Sequence, residues 1–419
     1  MICLKPVLKI PLPECPNCHT TPAPLQATDF LITGMRNLAN FGCATCQNEF
    51  YGDLPAGQGL YTPVLLNKKS GAVSGGENAQ WFADWLVKAY KNRSNQPLDF
   101  QVRKLSKVKD KVVVLNCLDT LYGHSLLKLF NAQHYIDNEP DFSLIVIVPP
   151  FLKWLLPDGL AEAWIVDLPL RHGTEWNDWL AGEISRRLAS FLQVYLSVAF
   201  SHLHPQDFDI ERFTRIAPLP LEKIAEAQKN PVITFIWRED RVWQTPAEPA
   251  GLFGKFKRRG NPVKPVTEQT GKLINLAESL RRDIPQLDFA VAGIGQPGNL
   301  PIWISDLRQL RVDLASERSW CERYAKSHLV IGVHGSNMLL PSALAGGVIE
   351  LISEDRQGNF LQDILLRNGD AREMMLRYRF IPHSTAPESL AQLASTMLRY
   401  EDFRRLMSPE FCRHQPSNR

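Results

Sequence analysis

The chain has 419 residues, 44% hydrophobic and 22% charged, with a formal net charge of +3. That length predicts two or three domains, and a charge so near balance excludes a dominant basic surface for nucleic acid. The opening stretch MICLKPVLKIPLPECP is too broken by Lys and Pro for the apolar core of a secretory signal, and no run reaches the roughly 18 to 20 apolar residues of a membrane span.

The cytoplasm is therefore the expected compartment, where the eight cysteines are free thiols or metal ligands rather than disulfides. Four of them form two pairs, Cys15-Pro-Asn-Cys18 and Cys43-Ala-Thr-Cys46. Two Cys-x-x-Cys knuckles in a Pro-rich, loop-like stretch have the spacing of a zinc ribbon, whose four thiolates share one tetrahedral Zn²⁺. The competing reading, two redox dithiols, requires a Cys pair that opens a helix after a buried strand, and neither pair does so. His19, beside a knuckle cysteine, is a spare ligand by position, but with four thiolates present it reads as an exposed neighbour. Residues 1–60 are thus expected to form a small appended module with little core, held by its metal and serving docking or acceptor recognition. The Gly-, Asn- and Ser-rich stretch 52–80 reads as the exit from it.

A helix beginning near Trp81 leads into alternating strands and helices. KVVVLNC (111–117), SLIVIVP (143–149) and AEAWIVDLP (161–169) are short β-branched runs of the kind that fill parallel sheets, separated by helical periodicity at 122–136 and from Trp176 to Phe200. The apolar run FLQVYLSVAF at 191–200 reads as the buried end of that second helix. A second series begins after Pro231: VITFIWRED, a helix near 267–282, LDFAVAG (287–293), the helical ERSWCERYAK, LVIGV, VIELI, a helix near 358–368, MMLRYRFIP and two terminal helices. The fold class is α/β: two Rossmann-like halves, 61–228 and 229–419, facing across a cleft and preceded by the ribbon. Neither half carries a Gly-x-Gly-x-x-Gly fingerprint, which argues against a dehydrogenase.

Three local patterns carry the chemistry. In the first half, Tyr122, Gly123 and His124 open a helix directly after a strand, with Asp119 just before it. In the second, Arg238 and Arg241 follow a buried strand, and the tight turn His334-Gly335-Ser336-Asn337 follows another, before a strand carrying Glu350 at its end. A small-residue turn that opens a helix after a strand directs backbone N–H groups outward and suits a phosphate. Pro341 limits that helix to about one turn.

In this order the three patterns resemble the GT-B glycosyltransferases of the family-61 type, over roughly residues 110–355. The resemblance implies a nucleotide-sugar donor bound by the second half, a glycan or other hydroxyl acceptor approached from the first, and no catalytic metal. The residues suit that chemistry. Transfer from a nucleoside diphosphate develops negative charge on the leaving group, which Arg238 and Arg241 can meet as bidentate donors and the His334 turn as an oriented dipole. Glu350 would accept from ribose hydroxyls. His124 is the first candidate for general base and Asp119 the second.

Other readings of these residues remain open. Arg238-Glu239-Asp240-Arg241 also reads as a self-paired surface turn, Glu350 as a solvated carboxylate and His124 as a helix cap. The segment GLFGKFKRRGNPVKP (251–265), with five basic residues, reads as a solvated insertion or a loop over an anionic donor, against the alternative of a membrane-surface or nucleic-acid contact. Two further functions stay in competition with sugar transfer: a non-catalytic binding protein on a degenerate transferase fold, and a zinc-ribbon protein that binds nucleic acid through KFKRR.

Overall fold

The computed structural model describes residues 1–10, 14–20, 25–76, 79–201, 209–244, 263–363, 365 and 370–399. The chain divides into two compact units, Met1–His204 and Pro205–Arg419.

Unit 1 contains two sheets. Strands β1 (Ile2–Lys5), β2 (Leu25–Ile32), β3 (Asn37–Cys43), β4 (Glu49–Asp53), β5 (Val64–Asn67) and β6 (Val73–Gly75) precede helix α1 (Gln80–Lys91). There follow β7 (Phe100–Lys104), β8 (Lys111–Asn116), α2 (Tyr122–Asn138), β9 (Ser143–Val148), β10 (Glu162–Val166), α3 (Asp178–Leu188) and β11 (Gln193–Leu196). The six-stranded sheet runs β1-β11-β8-β9-β10-β7; its four inner strands are parallel and its two edges antiparallel. VVVLN of β8 and all of β9 and β10 are buried, as expected of strands covered on both faces. The edge strand β7 ends in Arg103 and Lys104, charges that discourage further pairing.

The run read as a helix end at 191–200 is instead a strand. Helix α3, capped by Asn177 accepting from the Leu180 N–H, stops at Leu188, and β11 then pairs in parallel with β8, Val194 opposite Val112. Alternating burial along Gln193–Leu196 is the period-2 signal, concealed by the apolar residues around it.

The second sheet is an antiparallel meander, β2-β3-β4-β5-β6. It corrects two expectations. The stretch 52–80 is not an exit: it supplies β5 and β6, joined by a turn in which Asn67 Oδ1 accepts from the N–H groups of Lys69 and Ser70. Nor are residues 1–60 a separate module with little core. Strand β1 belongs to the main sheet, and Cys15, Leu25, Phe41 and Phe50 share one core with Val112, Ile145 and Trp164 of the parallel strands.

Unit 2 begins with α4 (Ile210–Thr214) and a 3₁₀ segment at 221–228, whose Ala227 is buried in the unit's core. The boundary drawn at 228 therefore lies between 204 and 205. Next come β12 (Val232–Trp237), α5 (Val263–Asp283), β13 (Asp288–Ile294), β14 (Ser305–Gln309), α6 (Leu314–Tyr324), β15 (Leu329–Val333) and α7 (Leu339–Leu344). β16 (Val348–Ile352), α8 (Ala371–Met374), β17 (Tyr378–Pro382) and α9 (Pro387–Leu398) complete it. The sheet runs β14-β13-β12-β15-β16-β17 with every pair parallel. Counted within the unit, that order is 3-2-1-4-5-6, the Rossmann arrangement. The helix expected near 358–368 is a 3₁₀ segment at Glu354–Asp363. The second terminal helix, and most of the basic segment 251–265, fall outside the described residues. No helix among the described residues is long and apolar enough to cross a membrane.

Candidate functional site

In unit 2 the chain leaves β12 for β13 on one side and returns to β15 on the other, so the loops after β12 and β15 diverge at a topological switch point, where open α/β sheets bind ligands. Arg238 and Arg241 stand in the first loop and His334–Asn337 in the second. Arg241 Nη1 donates to the His334 carbonyl at 2.8 Å; Arg238 Nη1 reaches the same oxygen at 3.5 Å and Asn337 Oδ1 at 2.6 Å. Gly335, at φ +148°, makes this approach possible, because a Cβ there would collide with Arg238 Nη1 and lie 3.0 Å from Arg241 Nη1. Asn337 Nδ2 is buried and has no hydrogen-bond partner among the described residues.

The self-paired reading of this loop holds in part. Arg238 grips Asp240 through two bonds, Nε to Oδ1 at 2.8 Å and Nη2 to Oδ2 at 2.6 Å, and the guanidinium holds the Asp240 carboxyl below its usual range. Asp240 is nonetheless 73% exposed, and Arg238 uses Nη1 for the turn. Gln269 of α5 braces the loop, donating to the Arg238 carbonyl and accepting from the Trp243 N–H. The expectation of a helix N-terminus cradling phosphate is corrected: Ser336–Met338 is a single 3₁₀ turn and α7 has six residues, too short for a sizeable macrodipole. The positive charge here is that of the guanidinium groups.

Glu350 lies in the middle of β16, fully buried, rather than at a strand end. His334 Nδ1 is 2.6 Å from its Oε2, and Tyr378 of β17 donates to its Oε1. Both oxygens are engaged behind the turn, so neither the ribose-binding expectation nor the solvated one fits. Glu350 instead fixes the His334 ring, and through it the carbonyl that receives the arginines. Burial and the adjoining Glu350 raise Tyr378 well above the ordinary phenol range, keeping it a donor.

Unit 1 has its own switch point, between β8 and β11. Beyond β8, Asp119 accepts from the N–H groups of Thr120 and Leu121 through Oδ1 and from Lys128 Nζ through Oδ2 at 2.6 Å. His124, in the first turn of α2, lies with Nδ1 3.4 Å from Asp119 Oδ1 and is partly exposed. Burial alone would raise the Asp119 carboxyl, but the Lys128 ammonium and His124 outweigh it and hold the group far below the carboxylate range. Asp119 is therefore corrected as a candidate base: a carboxylate that resists protonation and is enclosed with Lys128 cannot accept the acceptor's proton effectively. Its place is beside the imidazole.

The four knuckle cysteines come together with their sulfur atoms within 4.8 Å of one another. Cys15 to Cys46 and Cys18 to Cys43 are each 3.7 Å. A tetrahedral zinc with Zn–S bonds of about 2.3 Å has S–S edges of about 3.8 Å, so the donor set fits the ion. The two knuckles match locally. His19 N–H donates to the Cys15 carbonyl and Gln47 N–H to the Cys43 carbonyl, each at 3.0 Å, and both residues take a left-handed φ. Asn48 lowers the Cys46 thiol to about 6, whereas burial pushes Cys15 up to about 12, so a Cys15 thiolate needs a cation beside it. His19 points to Glu14, 3.1 Å away and exposed.

Sequence reasoning missed Lys128 and Tyr378. A lysine inside the apolar run Leu126–Phe130, one turn after His124, was a usable signal, since an ammonium there must be buried with a partner. Tyr378 gave none, because only the parallel register of β16 and β17 places it near Glu350.

No protein-family profile matches the chain, and neither does any curated protein sequence. Solved structures do. The glycosyl transferase family 9 protein from Veillonella parvula DSM 2008 is 12% identical, with a TM-score of 0.40 over 71% of this chain and 99% of that one. The E. coli ADP-heptose LPS heptosyltransferase II is also 12% identical, with a TM-score of 0.37 over 70% of this chain and 99% of its own.

Proposed function

We propose that the chain is a glycosyltransferase of the GT-B, family-61-like type that moves a sugar from a nucleoside-diphosphate sugar to a hydroxyl acceptor such as a glycan. The observation that carries this reading is the meeting of Arg238, Arg241 and the buried Asn337 amide at the Gly335 turn, on the switch point of a 3-2-1-4-5-6 sheet. A leaving diphosphate gains charge as the glycosidic bond breaks. Guanidinium groups fixed in advance meet that charge without reorganising, each charge-assisted hydrogen bond contributing on the order of 1.5–3 kcal/mol.

In unit 1, His124 is the proposed general base. Asp119 engages Nδ1 and assigns Nε2 to the acceptor hydroxyl; the proton taken there leaves the acceptor oxygen free to attack the anomeric carbon. Cys15, Cys18, Cys43 and Cys46 are proposed to hold a structural Zn²⁺, which supplies folding free energy and no step of the reaction. Isothermal titration of the whole protein with nucleoside diphosphates and nucleotide sugars tests the reading. Binding of at least one of them, followed by transfer to a hydroxyl acceptor, is expected. Binding with no transfer would leave the non-catalytic alternative, and failure to bind any of them would refute the proposal.

A further inference from the structure

We propose that Lys128 is a positioning residue of the unit 1 site: it locks Asp119 against His124 Nδ1, so that Nε2 of the imidazole is the atom offered to a ligand. The role of that ligand as sugar acceptor rests on the transferase reading; the geometry of the lock does not.

Lys128 is 1% exposed, in a class of residue seldom buried without a partner. Its Nζ donates to Asp119 Oδ2 at 2.6 Å and to the Leu118 carbonyl at 3.1 Å. The Asp119 carboxylate is thus tied at Oδ2 by Lys128 of α2 and at Oδ1 by the Thr120 and Leu121 N–H groups, which holds Oδ1 3.4 Å from His124 Nδ1. Among the described residues the ammonium acts on Asp119 and on Cys117, whose thiol burial keeps neutral, and His124 faces the same carboxylate. On its remaining side Lys128 meets the backbone of Gly57, in the segment after β4: a Cβ on Gly57 would stand 3.3 Å from both Cε and Nζ. The Gly57 N–H is itself fastened to the Val198 carbonyl beyond β11, at 2.7 Å. A buried ion pair costs desolvation and is weak support for stability alone, so what the lysine contributes is orientation of the carboxylate.

The test needs no substrate. The full chain, ¹⁵N-labelled on histidine and with His124→Gln as the assignment control, is observed by long-range ¹H–¹⁵N NMR at a pH where imidazole is neutral. The wild type is expected to show His124 almost wholly as the Nδ1–H tautomer. Lys128→Met should convert it to the mixed tautomers of an unconstrained imidazole, with turnover falling at least tenfold while the donor Kd stays unchanged. An unchanged tautomer in Lys128→Met overturns the proposal. Should that variant fail to fold, Lys128→Gln, which keeps a donor for the Leu118 carbonyl and removes the charge, serves the same comparison with the same expected and overturning outcomes. If the tautomer shifts but the wild type transfers no sugar, the lock stands and the transferase reading falls.

Discussion

Two guanidinium groups drawn to one carbonyl oxygen repel each other, and a bound diphosphate would relieve that repulsion while accepting their hydrogen bonds. Arg238→Ala and Arg241→Ala should each weaken nucleoside-diphosphate affinity about tenfold or more, read by isothermal titration, a loss of roughly 1.4 kcal/mol. The same affinity in both variants would remove the arginines from the site. Asp119 gives a prediction in pH. Its folded carboxyl lies below the unfolded value of about 3.9, so its contribution to stability is complete above that pH and is lost as pH falls toward the folded value. Urea denaturation between about pH 2 and 4 should therefore show a shallower pH slope for Asp119→Asn than for the wild type; parallel slopes would contradict it. Cysteine spacing alone made the four-cysteine cluster legible. The partners of His334 and His124 were not, since Glu350 and Lys128 acquire their roles from strand register and helix phase.

Among the elements, the turn after β15 matters through what it omits. Gly335→Ala would set a methyl group where the Arg238 guanidinium lies and force a backbone conformation that side chains disfavour. Donor affinity should fall in this variant at least as far as in Arg238→Ala, while the sheet beneath survives. A crystal structure with both arginines undisplaced would defeat the argument. Most strands were readable because runs such as Val112–Leu115 and Leu144–Val148 are apolar throughout and rich in β-branched residues. Strand β11 was not: four residues of alternating burial, directly after a helix, leave too short a stretch for one period to prevail over the other. Strands β5 and β6 escaped notice for a different reason, since glycine, asparagine and serine in a meander mark its turns and hide the short ladders between them.

At the scale of the molecule, each unit has its own core, and the four-cysteine cluster belongs to that of unit 1. Purified protein should carry about one zinc per chain. Because Cys15 and Cys43 pack in the core that holds Val112 and Ile145, Cys43→Ser or chelation should lower the melting of unit 1 as a whole and leave a second transition, that of unit 2, in place. Calorimetry and hydrogen exchange at the amides of β8 would show it. Loss of protection confined to residues before about 55 would restore the separate ribbon. The pairing of Ile2 with Leu196 also orders events in time. A ribosome delivers β1 nearly two hundred residues before β11, so the edge of the main sheet stays open through most of the synthesis of unit 1, whereas all four thiols precede β4. A nascent chain stalled after β6 holds all four thiols but none of Val112, Ile145 and Trp164, so it is expected to bind zinc and still be cut by protease, resistance arriving only once β8 to β11 have emerged.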